Sequence, residues 1–415
     1  MTTASTQGKK VSYDVQASFG TPNVAGLTDV RLEGDPTIEP AIGVGVQPSE
    51  MGANPFHVAK PIVNNQASDS AVVVTSLPHQ ALTAGNDSFA KTAFESGGYN
   101  VVSSNDTTSV GAETATVTLV DAGTYDIGYG ANVELADGSF VPTLFGYTDG
   151  GFQFTPTMAL PSSTAASLGE VNKALTITPN VLTEVSGDKL LTFLSGTNVG
   201  TVQAQDCALT SVGDIVFNAN ELIPIEYTFG ASNKTRGDVA TTHSNTFADG
   251  SESIVTYQPW CQLSATSTDW STALSASYAK IISATVTLGI TAEQMIGMGD
   301  ANCINNIQGW MQKGVPAKIV LDMLYDSDKI DDFDGTNPEK YLAIIQPGQS
   351  RNDPSMGFFA PVAHQDVEGT TVDYIGNNEH RVTVTYTVNP SAMDGTTDSD
   401  LGNQPWYLVF GDKSA

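Results

Sequence analysis

Positive charge is scarce in this chain. Its 415 residues hold 17 Lys and Arg against 45 Asp and Glu, a formal net charge of -28. Binding a phosphate backbone needs clustered cations that displace counterions, so this balance argues against direct DNA or RNA binding. An acidic wall past which DNA slides without sticking is compatible with it, and so is acidity that serves solubility or a saline habitat.

Histidine, the usual general base and metal ligand, occurs five times, as His57, His79, His243, His364 and His380. None lies within metal-ligand spacing of another, and surface or structural roles are expected. Cys207, Cys261 and Cys303 are odd in number, far apart and without a CxxC or Cys/His pattern. Neither a zinc site nor a disulfide framework follows; buried free thiols and assembly in a reducing compartment are expected. No GxSxG, HExxH or GxxxxGK[ST] occurs, and Gly43-Val44-Gly45 lacks the third glycine of a dinucleotide loop.

The acidic run Asp326–Gly335 fails as a calcium loop. Counting from Asp326, the sixth position is Asp331 where glycine is needed, and the twelfth is Asn337 where a bidentate Glu is needed. A solvated loop is the expectation. Trp260, Trp270, Trp310 and Trp406 are scattered, which favours core or interface packing over sugar stacking. Nothing selects a catalytic pair among the 45 acids. No catalytic, cofactor-binding or metal residue is assigned, no cofactor is implied, and the chain is not expected to be an enzyme.

Long apolar runs are missing too. No stretch approaches the roughly 20 apolar residues of a membrane helix, and the polar start Met1–Lys10 has no signal-peptide core. No membrane partner is expected, and folding where the chain is made, in the cytoplasm.

What is present reads as β structure. Apolar residues reach 40%, enough for a packed core, and Gly at 39 and Pro at 20 imply many turns. Residues 1–30 read as an extended arm, Val72–Thr75 as a short strand and Asp87–Phe94 as one or two helical turns stopped by Gly97-Gly98. Ala115–Val120 reads as a strand and Asp137-Gly138 as a turn. The clearest signal runs from Leu190 to Gly230, where Ile215–Ala219 and Ile223–Phe229 alternate apolar and polar positions, as a sheet buried on one face requires.

From Ala231 to Ser253 the chain is polar and reads as a linker or loop. Beyond it, strands are predicted at Lys280–Ile290, Ala317–Tyr325, Tyr341–Gln346, Phe358–Ala363, His380–Val388 and Trp406–Phe410. Cys303, Ile304, Ile307, Trp310 and Met311 have three-and-four spacing, which predicts a helix over 291–313 ending at Gly314. Two β lobes are therefore expected, 1–235 with the arm and 254–415 with that helix, joined by 236–253.

The stretch 190–230 resembles the tail tube (major tail) proteins of long-tailed, siphovirus-like bacteriophages. The resemblance rests on a turn at Ser195-Gly196, a strand ending at Cys207-Ala208, Gly213-Asp-Ile-Val-Phe217 and Ile223-Pro-Ile-Glu-Tyr-Thr-Phe-Gly230. The order downstream is similar: Lys280–Leu288, Gly314–Val320, Tyr341–Gly348, Phe358–Val362, His380–Val388 and Pro405–Val409. It implies a mainly β fold of sandwich or barrel lobes, each with a flanking helix, with extended loops and an N-terminal arm that bridges rings. It further implies a structural virion protein whose strand edges join copies into rings, of six chains or of three two-lobed chains. Stacked rings would form a hollow tube that contacts other tail proteins and conducts DNA from capsid to host without specific binding. A capsid decoration or distal tail protein, a secreted surface-layer or adhesin module, and a carbohydrate-active enzyme on a β scaffold are the competing expectations.

Overall fold

The computed structural model describes residues 10–38, 43–46, 61–64, 71–76, 89–104, 174–180, 184–197, 200–218, 221–237, 281–297, 307–324, 339–346, 355–376, 379–388 and 404–411, together with short strands between 110 and 168 and at 255–256 and 260–264. The protein is mainly β, with several antiparallel sheets and one α-helix among the described residues.

In chain order the principal elements begin with β1 (Lys10–Val15), β2 (Thr28–Asp29), β3 (Val72–Ser76), α1 (Phe89–Ser96), β4 (Asn100–Ser104) and β5 (Ala174–Thr178). The stretch singled out in the sequence forms β6 (Leu191–Thr197), β7 (Gly200–Val212), β8 (Ile215–Asn218), β9 (Ile225–Gly230) and β10 (Asn233–Gly237). Then come β11 (Trp260–Ser264), β12 (Ile281–Thr287), β13 (Ile290–Ile296), β14 (Ile307–Gly314) and β15 (Lys318–Leu324). The last four are β16 (Glu339–Gln346), β17 (Ser355–Gly376), β18 (Glu379–Val388) and β19 (Tyr407–Gly411).

Two large sheets organise these strands. The first has the order β2-β1-β6-β7-β9-β3, with β10 also on β7. The second runs β8-β12-β15-β18-β17-β19-β5-β4, with β16 and then β11 added beside β17. Strands β4, β5 and β8, all from before residue 235, thus lie in one sheet with strands from after 254. A single hydrophobic cluster draws on both sheets, from Val11, Val74, Phe193 and Phe229 to Ile319, Val384 and Leu408.

Helix α1 links the sheets. At eight residues it is too short to persist alone, and six of its residues are buried. Phe89 sits among Tyr13, Phe193, Tyr227 and Phe229 of the first sheet. Phe94 meets Tyr99, which meets Trp406, which stacks on Phe358 of the second. Gly98, at φ +76°, supplies the left-handed residue that ends the helix.

Strand β7 serves two partners. Its first half pairs with β6 and β10, its second with β9, and an irregularity near Asp206 separates them. Asp206 has φ +51°, a left-handed value that Asp tolerates better than most residues. It is fully buried, and its carboxylate accepts the Gly20 N–H at 2.6 Å and the Ser232 hydroxyl. A bulge that redirects a strand is stabilised here by a carboxylate whose bonds reach two other segments.

Several expectations need correction. The predicted helix over 291–313 is a β-hairpin in its described parts, β13 and β14, with Ile290 opposite Gly314. Apolar spacing misled because the buried residues of β14, Ile307, Gly309, Trp310 and Gln312, include a glycine and a polar side chain, while Gln308 and Met311 are exposed; Cys303 and Ile304 lie outside the described residues. The arm expected over 1–30 is, from residue 10, part of the first sheet: β1 pairs with β6 on one side and β2 on the other. Residues 231–237, read as the start of a linker, are a buried segment and a strand on β7; 238–253 lie outside the described residues. Ser195-Gly196, read as a turn, stays in β6 opposite Val202 and Thr201. Asp137-Gly138 also lies outside, although the strands flanking it pair antiparallel.

Candidate functional site

Residues that would carry chemistry are dispersed. His364 lies on β17 and His380 on β18, while His57, His79 and His243 fall outside the described residues. Gly43-Val44-Gly45 belongs to a strand paired with Pro61–Asn64, a setting unlike a phosphate loop. Trp310 and Trp406 are buried; Trp260 lies on β11, and Trp270 and the run Asp326–Gly335 are outside the described residues. Among the described residues no group of three or more His, Cys, Asp or Glu could hold a metal, and no helix is long and apolar enough to cross a membrane.

Cys207 and Lys234 form the one buried pairing of a nucleophile with a cation that the described residues bring together. Cys207 is a free, fully buried thiol on β7, as the sequence led one to expect. Burial pushes its thiol well up, with Lys234 opposing and Asp206 reinforcing, so it is protonated and inert at neutral pH. Lys234 is 6% exposed, and its ammonium donates to the Ala71 carbonyl at 3.0 Å. Burial lowers it to about 8, with Cys207 opposing. Lys234 staples β10 to the residue before β3, and the pair does not build a nucleophile.

The lowered lysine has a consequence for stability. Between pH 8 and its ordinary value near 10.5, the unfolded chain binds a proton that the folded chain has lost. Stability therefore rises with pH across that window, and the cost of burying the charge is complete below it. Relative to a Lys234→Met variant, wild type should gain about 1 kcal/mol from pH 7.5 to 10, after discounting for solvent screening. Chemical denaturation of both proteins at the two pH values checks this; parallel curves would contradict it.

What the fold does present is strand edges, and they are treated unequally. The first sheet ends at β2, only two residues long, and at β3, whose outer edge is taken up by the chain's own residues 33–37. Thr37 and Val73 exchange N–H···O bonds of 2.9 and 2.8 Å, and Glu33 N–H donates to Thr75 O at 2.8 Å. Short or self-covered edges are how proteins prevent unwanted pairing. The second sheet ends at β8, at β4 and, through its branch at β16, at β11, strands of four, five and five residues, and β10, five residues long, is a further outer strand of the first sheet.

The β13–β14 hairpin belongs to neither sheet. Its inner side is fixed by Trp310, 1% exposed, which packs with Val185, Leu190, Ala208 and Ala292. The Trp310 indole N–H donates to the Asp206 carbonyl at 2.9 Å, Gln312 Nε2 donates to Gly97 O at 3.2 Å, and Val185 N–H donates to Trp310 O at 2.8 Å. Gly230 lies directly under the indole, where a Cβ would overlap the ring. On the outer side Lys313 pairs with Glu293 at 2.8 Å and Met311 is 41% exposed; Ile296, at the end of β13, is 74% exposed. Sequence reasoning missed this surface because Met311 looks like a core residue when read without its register. No protein-family model and no curated protein matches the chain.

Proposed function

We propose that the chain is a structural subunit of a phage tail tube, which assembles with its own copies into rings and stacked rings. The observation that carries this is the branched second sheet, which ends in three strands, β8, β4 and β11, whereas β3 of the first sheet is covered by the chain's own residues 33–37. Backbone groups on an edge strand bond to another chain's edge at little cost in reorganisation, so the edges of the second sheet serve as the ring contact. Such a head-to-tail contact is heterologous and closes a ring when its rotation permits, as six chains or as three two-lobed ones.

The charge fits the same role. With a net charge of -28, a lumen lined by this chain offers phosphates no cationic trap, and DNA passes from capsid to host without specific binding. Other tail proteins cap the tube at its ends. The proposal places the protein in the virion, as a non-enzymatic part.

Electron microscopy of the purified full-length chain tests this. Hollow filaments of uniform diameter with an axial repeat are expected. Monomers or compact small oligomers at every concentration, as a decoration protein would give, contradict it.

A further inference from the structure

The three strands that end the second sheet, β8, β4 and β11, contain no charged residue and no proline. Exposed edges are commonly blunted by one or the other, and these are not. The first charged residues met along the chain on either side of them are all acidic. Asp214 and Glu221 flank β8, Glu95 and Asp106 flank β4, and Glu252 and Asp269 flank β11. One strand further in, a spacing of about 4.8 Å, Lys280 precedes β12, Lys173 precedes β5, and Lys340 follows Glu339 in β16. Even with these and with Lys189 on Glu95, acids remain the majority.

The described cations are mostly committed within the chain. Lys10, Lys189, Lys313 and Arg381 pair with the chain's own Asp29, Glu95, Glu293 and Asp322 at 3.9, 3.4, 2.8 and 3.2 Å. Lys234 is buried, and the exposed Lys318 lies on β15, two strands in from β8. A second copy brought edge to edge therefore sets acid against acid, in a chain with 28 surplus negative charges. Like charges across a strand pair oppose pairing, and at longer range they hold whole subunits apart. The counter-charge has to come from solution.

We infer that mobile cations gate the ring contact: subunits stay apart at low ionic strength, and the sheet edges join when salt screens the acids beside them. The inference rests on the tube proposed above and adds its control. At about 0.01 M salt the screening length is about 30 Å, so the flanking acids and the whole surplus act across the contact. At about 1 M it is about 3 Å, and only groups that touch still interact. The groups that touch are then uncharged strands, whose backbone hydrogen bonds carry the contact.

The test follows full-length wild type at one fixed protein concentration by sedimentation velocity and electron microscopy, in sodium chloride from about 0.01 to about 1 M. Assembled mass should be at least about tenfold lower at the low end than at the high end. Equal or greater assembly at low salt overturns the gate and leaves the tube intact. A chain that self-associates at no salt concentration overturns both.

An Asp214→Asn/Glu221→Gln double variant locates the gate. Both replacements keep an acceptor oxygen for the Thr287 hydroxyl and the Asn218 amide, now at 2.6 and 2.9 Å. The salt needed for half-assembly should fall about twofold. Glu33→Gln/Asp35→Asn makes the same charge change at exposed positions on the covered edge of the first sheet, and should shift it less. Equal shifts would overturn the assignment of the gate to the edges of the second sheet.

Discussion

Replacing Trp310 by alanine is expected to lower the free energy of unfolding by about 3–5 kcal/mol. The indole is 1% exposed and packs over Gly230, the residue that closes β9. Its removal opens a cavity and leaves the Asp206 carbonyl without the 2.9 Å N–H that now reaches it. That carbonyl sits at the bulge where β7 changes partners, so the damage spreads from the hairpin to the first sheet. Trp310→Phe keeps much of the apolar contact and loses the bond, and should cost about 1–2 kcal/mol. Gly230→Ala strains the same contact from below, and its penalty should shrink when Trp310 is already alanine. Equilibrium denaturation of the four proteins gives that coupling directly. Additive losses would mean that the ring and the glycine do not meet as described.

Phe89→Ala should be comparably severe, about 3–5 kcal/mol. Its ring centroid lies 5.1 Å from that of Tyr13 and 5.3 Å from that of Tyr227, with Phe193 and Phe229 at 6.4 and 6.3 Å. A helix of eight residues has too few internal hydrogen bonds to survive without this anchor. Once α1 loosens, the path Phe94–Tyr99–Trp406 between the sheets loosens with it. Phe89→Leu retains volume and should cost less than about 1.5 kcal/mol. Denaturant midpoints together with near-ultraviolet circular dichroism check both effects; a retained aromatic signal in Phe89→Ala would contradict the linking role of the helix.

How legible the fold is in the sequence depends on how cleanly each strand alternates. In β8, β9 and β15 every second side chain is buried, and these strands were readable within a residue or two. Helix α1 was readable because Phe89, Ala90, Ala93 and Phe94 make an apolar stripe that Gly97-Gly98 terminates. Strand β10, Asn-Lys-Thr-Arg-Gly, was not. Its place comes from backbone pairing to β7, and the burial of Lys234 offsets a charge against hydrogen bonds that no hydropathy pattern records. Strand β1 was hidden for a related reason: Lys10–Val15 meets its main partner β6 about 180 residues later, and nothing local announces so distant a pairing.

The hairpin shows the opposite failure, since its apolar residues fit a helical period while the chain folded them as a strand pair. Gly309 under Met295 and the inward Gln312 are what the strand needs and what a helical count ignores. The candidate assembly surface was only half visible in the sequence. The acid excess was plain from composition, whereas which strands end each sheet is set by long-range pairing.

Sedimentation velocity of the purified chain over a wide concentration range tests self-assembly most directly. Growth from a discrete ring-sized species into much larger, open-ended particles as concentration rises is the expected result. A single 43.5 kDa species throughout would contradict it.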